Sequence, residues 1–165
     1  MHDEYYAQVQ EKYQSRDFDA LFQTLLSIAE IIGRDEALAL LERCAIEKRQ
    51  AWVDRHLDLL ERTGNPVVDG YRAFYEVYLG VSAPVYGEII EQDDTHMVAR
   101  WWNTCPLLDV CGAMGLETRE ICRKTYEKPV QVFLSRIDPR LRFSRNYNRI
   151  RPHTPYCEET ITLVE

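Results

Sequence analysis

The feature that most constrains this fold is a change of period at Gly80. Before it, apolar residues recur at helical spacing; directly after it, over 84–103, they alternate as in strands. Residues 3–14 are weakly helical, with Tyr6, Val9 and Tyr13 on one face. Residues 17–32 carry Phe18, Leu21, Phe22, Leu25, Ala29 and Ile32 on a helical stripe, with Asp17 or Asp19 to cap the start and Gly33 to end it. A longer helix is predicted over 35–63. Its stripe is Leu38, Leu41, Ala45, Trp52 and Leu59, and ERCAIEKRQ supplies solvated charges. Cys44 reads as core and His56 as a packing histidine. Gly64-Asn65-Pro66 combines a helix stop, a cap and a first-turn proline. It opens a helix over 66–79 that buries Val67, Tyr71, Phe74, Tyr75 and Tyr78.

Beyond Gly80, residues 84–92 and 96–103 read as strands joined at Asp93-Asp94-Thr95. Short helices follow over 106–114 and 118–127, the second capped by Thr118. Pro129 opens a third, which Asp138-Pro139 ends. LRFSRNYNRI and YCEETITLV form a second hairpin around RPHTP. The expectation is one α+β domain over residues 1–165, with a helical half over 1–80 and a sheet-containing half over 81–165. Its N-terminal helices pack on a four-stranded antiparallel sheet made of two hairpins separated by short helices.

No apolar run approaches the ~20 residues of a membrane span. MHDEYYAQVQ is too polar for a secretory leader, so a cytoplasmic location is expected. Five cysteines, an odd number without a leader, argue against a disulfide framework. The net charge of −7 is uneven: residues 116–153 carry +6 and the remainder −13. That asymmetry suits a small anionic ligand or a protein partner. An acidic chain with no nucleic-acid motif does not suit nucleic acid.

The chemistry centres on Thr104-Cys105-Pro106. Proline favours the first helical position, which puts Cys105 at the N-cap. The partial positive charge of a helix start favours an anionic sulfur, so Cys105 is a candidate nucleophile. Cys157, after the Pro-rich loop, is a second candidate. Cys111 and Cys122 sit on apolar helix faces and read as core. A metal site from Cys105, Cys122, Cys157 and His153 is the alternative, though the spacings do not match common structural zinc sites.

Strand alternation gives a second clue. If apolar members mark the core, Arg145, Arg149, Cys157 and Glu159 point inward with Leu141, Phe143 and Ile161. Glu88 lies between Tyr86 and Ile90, and Arg100 between Val98 and Trp102. The inward charges read either as structural pairs or as a polar pocket. In the pocket, Arg145 or Arg149 binds a carboxylate, Trp102 lines the site, and Glu88 or Glu159 is the general base.

NTCPLLDVCGAMGLETREICRKTYEKP, followed by DPRLRFSRNYNRIRPHTPYCEETITL, resembles the L-2-amino-thiazoline-4-carboxylic acid hydrolase family. The matching elements are Cys105-Pro106, Met114-Gly115, Cys122, Asp138-Pro139, the Arg-rich strand and Tyr156-Cys157-Glu158. The resemblance covers roughly residues 84–165. Family members often carry Gly-Asp where this chain has His153-Thr154. The resemblance implies hydrolytic opening of a cyclic amidine that bears a carboxylate, without an obligatory cofactor. The order of elements also resembles vinyl-reductase-type small-molecule-binding domains, which implies non-catalytic binding or sensing. A metal- or redox-responsive protein using the clustered cysteines is the third reading. Trp101 and Trp102 are adjacent in a strand, so one faces out, where a homodimer is one way to cover it.

Overall fold

The computed structural model describes residues 2–165. Its helices begin with α1 (Asp3–Ser15), α2 (Phe18–Ile32) and α3 (Arg34–His56); α4 (Pro66–Tyr71) then runs into a π-helical segment, Arg72–Leu79. The sheet half follows as β1 (Gly87–Gln92), β2 (His96–Trp101), α5 (Pro106–Met114), α6 (Thr118–Thr125), α7 (Glu127–Ile137), β3 (Leu141–Asn146) and β4 (Cys157–Leu163). This is the expected α+β architecture.

Local chemistry sets most of the boundaries. The Asp17 carboxylate accepts from the Ala20 N–H at the start of α2, and the Asn65 side chain accepts from Val67 and Val68 N–H at the start of α4. Gly80, at φ +68°, ends the π-helical segment. Several boundaries differ from expectation. β1 begins at Gly87 rather than at 84, and β3 ends at Asn146 rather than at 150. α3 stops at His56 and gives way to a 3-10 turn over Leu57–Leu59, so Leu59 leaves the stripe and is exposed. Glu117, not Thr118, caps α6, because the Thr118 hydroxyl donates instead to the Arg151 carbonyl. α7 begins at Glu127, two residues before Pro129. The expected regular helix over 66–79 widens into π geometry from Arg72, a departure common near functional sites.

The strands pair antiparallel in the order β1-β2-β4-β3, so the two hairpins join through β2 and β4. The register puts Glu159 beside Ala99 and Arg145, and Glu158 beside Arg100 and Asn146. Met97, Ala99 and Trp101 of β2 face the helices, together with Leu141, Phe143, Cys157, Glu159 and Ile161. The indole of Trp101 lies over β1: a methyl on Gly87 would overlap the Arg100 carbonyl and approach Trp101 Cε3 to 2.5 Å.

Two large apolar cores result, beside a small cluster of Cys122, Ile150 and Cys157. One joins the inner sheet face to α4, the π-helical segment and α7 around Phe74, Phe133, Leu134 and Leu141. The other lies among α1, α2, α3, α5 and α6 around Phe22, Leu25, Leu41 and Ile121. α3 contributes to both, through Leu41 and Val53. Among the described residues, no helix is long and apolar enough to cross a membrane.

Candidate functional site

Where the two cores meet, the helices leave a cavity of about 360 Å³. α3 supplies one wall, with Leu41, Ala45, Lys48 and Arg49. Cys105 and Pro106 at the start of α5 supply another, and Arg145 of β3 and Cys122 of α6 complete it with Tyr78 and Tyr126. Among the described residues, no Asp, Glu or His lines the cavity.

Cys105 occupies the expected N-cap of α5, with Pro106 at the first helical position and no side-chain cap of its own. It is partly exposed, whereas Cys44, Cys111, Cys122 and Cys157 are buried. Burial pushes the Cys44 and Cys122 thiols up to about 11 and the Cys111 thiol up to about 12. These three are therefore thiols, not thiolates, at neutral pH.

Arg145 lies on the inner face as expected, but its charge is already answered. Its Nε donates to Glu159 Oε1 at 3.0 Å, and Nη2 makes a second bond to the same oxygen. The Tyr75 hydroxyl donates to Glu159 Oε2. Burial opposes the Arg145 charge, and the Glu159 carboxylate more than offsets that, holding the guanidinium strongly protonated. The Tyr75 phenol is pushed well up by burial and by the same carboxylate, so it stays a donor. Glu159 is thus a structural counter-ion with both oxygens engaged, and it does not line the cavity.

Arg49 is different, and the sequence reading missed it. It is only 8 % exposed, and its Nε is buried with no hydrogen-bond partner among the described residues. Its guanidinium carbon lies 5.2 Å from the Tyr126 ring centroid and 5.8 Å from that of Phe74. Arg145 sits over the same Tyr126 ring at 4.2 Å. Two guanidinium groups therefore share one aromatic platform, an arrangement that cation–π attraction supports. Lys48 and Arg16 add two more cations to the lining.

The other candidates lie elsewhere. Glu88 and Arg149 do not point inward: Glu88 Oε1 is 3.8 Å from Arg100 Nη1 on the outer sheet face, and Arg149 Nη1 bonds Glu158 Oε2 at 3.1 Å on that face. Arg100 donates through Nε to the same Glu158 oxygen at 2.9 Å. Burial raises the Glu158 carboxyl, but bonds from Asn146, Arg100 and Arg149 outweigh it and hold the group below the usual carboxylate range. Trp102 follows β2 on the outside, 44 % exposed, with its indole N–H donating to the Val85 carbonyl. Cys157 is buried beside Cys122 and Ile150, and its sulfur accepts from the Arg151 backbone N–H and Nε at 3.5 and 3.4 Å. It fastens the β3–β4 loop and does not line the cavity. His153 is paired with Glu117 at 2.7 Å on the surface. Among the described residues, no three His, Cys, Asp or Glu side chains are grouped to hold a metal ion, so the set Cys105, Cys122, Cys157 and His153 does not form a ligand shell.

Comparison of the chain with family models, with curated proteins and with solved structures finds no match.

Proposed function

We propose that this chain is a small hydrolase that binds a carboxylate-bearing cyclic amidine in the cavity and opens it through Cys105. One observation carries the reading. A partly exposed thiol at a helix start and a buried arginine with an unpartnered Nε line the same cavity. Arg49, rather than Arg145 or Arg149, receives the carboxylate, because those two are already bonded to Glu159 and Glu158; a planar guanidinium binds a carboxylate through parallel hydrogen bonds. The thiol then reaches the ring carbon between sulfur and nitrogen. Its sulfur bonds to that carbon, and the N–H groups at the start of α5 face the charge that develops there. The ring C–S bond breaks, and its electron pair leaves on the ring sulfur, which takes a proton. Water adds at the same carbon and Cys105 departs as thiolate, so one water is consumed and a carbamoyl product released. A water activated by Glu88 or Glu159 fits less well, since Glu88 is on the other sheet face and Glu159 is bonded at both oxygens.

Binding without turnover is the second reading. It is favoured by the lack of any carboxylate or imidazole on the lining to relay protons. Release of free thiol from 2-aminothiazoline-4-carboxylate and its ring-substituted analogues distinguishes the two. Turnover that Cys105→Ala abolishes supports the hydrolase. Turnover that survives in Cys105→Ala contradicts the nucleophile, and saturable binding without turnover supports the binding module. Outside the cavity, Trp102, Val85 and Tyr86 are exposed beside one another. This is the apolar surface that a homodimer would cover.

A further inference from the structure

The cations around the cavity are not equivalent. Arg145 is neutralised by Glu159. Among the described residues, Arg16, Lys48 and Arg49 have no ion-pair partner, and no acid lines the cavity to balance them. Arg16 and Lys48 are exposed, whereas Arg49 is buried. All three line the one cavity: burial lowers the Lys48 ammonium below its usual range, and the charges of Arg16 and Arg49 lower it further. A buried guanidinium N–H without an acceptor leaves its desolvation uncompensated. The charge of the lining is therefore unbalanced, and a single carboxylate would answer one charge of three. Beside this group, Phe18, Leu21, Leu41 and Leu107 give the cavity an apolar wall. A volume near 360 Å³ is that of a small-molecule site.

We infer that the ligand carries a head group with two negative charges, held by Arg16, Lys48 and Arg49, on an apolar body that lies along Leu21 and Leu41 towards Cys105. A phosphate monoester and a dicarboxylate share this chemistry. The inference rests on the reading of the cavity as a ligand site, and does not require Cys105 to be a nucleophile. In terms of the reaction proposed above, the heterocycle bears a second acidic group.

Titration calorimetry on the intact protein, with hexyl phosphate, hexylmalonate and heptanoate as probes, tests this. At low ionic strength at least one dianion is expected to bind about tenfold or more tightly than heptanoate, and added salt narrows the gap. Preference for hexyl phosphate identifies a phosphate ester, and preference for hexylmalonate a diacid; either supports the inference. Arg49→Met is expected to remove the preference. Lys48→Met and Arg16→Met change exposed residues, so they test the same point without disturbing the core, and each is expected to reduce it several-fold. Equal affinity for all three probes overturns the inference. So does absence of binding by every probe, or a preference that survives in all three variants. The same titrations on Cys105→Ser separate the two proposals. A preserved dianion preference there upholds the inference even if no substrate is turned over, and turnover without dianion preference overturns it while leaving the hydrolase reading intact.

Discussion

Glu159 shows how far a single side chain can be committed. It is buried, it accepts from Tyr75 and Arg145, and the register sets it opposite Arg145. Glu159→Gln removes the negative partner of a buried guanidinium. It is expected to cost about 3–5 kcal/mol of unfolding free energy, measured by denaturant titration. A loss below about 1 kcal/mol would place this pair among exposed ion pairs, against its burial. The inward position of Arg145 and Glu159 was legible from alternation with Leu141, Phe143 and Ile161, because both strands have one clearly apolar face. Arg49 was equally open to reading, yet charge obscured it. The α3 stripe runs Leu38, Leu41, Ala45 and Trp52, and its missing member, four residues after Ala45 and three before Trp52, is Arg49. A charged residue filling a gap in an apolar stripe is either paired or waiting for a ligand, and grouping it with ERCAIEKRQ as solvated surface hid that signal.

At the scale of elements, short-range chemistry was legible and long-range pairing was not. Caps at Asp17 and Asn65, and the Cys105-Pro106 helix start, follow from neighbours within a few residues. The buried face of β2 does not. Val98, Arg100 and Trp102 alternate as regularly as Met97, Ala99 and Trp101, and only pairing with β4 selects the second set. Reading the first set as inward turned Glu88 and Trp102 inward, whereas Arg149 was placed inward by carrying the β3 alternation past Asn146, where the strand ends. These strands instead carry an outer ladder of Glu88, Arg100 and Glu158, in which opposite charges face one another across the sheet. The β1–β2 turn makes a direct pH test. Asp93 Oδ1 accepts from the Thr95 N–H and hydroxyl and from the His96 N–H. The Thr95 backbone bond first, then its hydroxyl, holds the Asp93 carboxyl down at about 2. A lowered carboxyl stabilises the turn above the ordinary carboxylate range and loses that contribution as pH falls through the folded value. A carboxyl NMR titration is expected to find the Asp93 midpoint near 2, with the Thr95 and His96 amides shifting at the same pH. A midpoint at the ordinary value of 3.8 would mean that the turn is not closed by these bonds.

At the scale of the molecule, the site belongs to neither side of Gly80 alone: α1, α2 and α3 line its cavity together with α5, α6 and β3. Three of the cavity cations, Arg16, Lys48 and Arg49, come from the helical half, which is acidic overall. The basic stretch 116–153, which the charge asymmetry marked for an anion, is largely engaged elsewhere. Lys124 pairs with Asp35, Lys128 with Glu42, Arg136 with Asp54 and Arg140 with Asp138, while the Arg119 guanidinium bonds the Tyr147 carbonyl. Net charge along a sequence reports which surfaces must neutralise one another; it does not report which charges remain unpaired after folding. The central claim is that Cys105 and the unpaired cations open on one cavity, so an anion drawn to the cations meets the thiol. Site-resolved alkylation with iodoacetate and iodoacetamide measures this directly. The ratio of iodoacetate to iodoacetamide rates at Cys105 is expected to exceed that of a free cysteine peptide, to saturate with iodoacetate concentration, and to fall to the peptide value in Arg49→Met. A ratio at or below the peptide value in the unmodified protein would contradict the account.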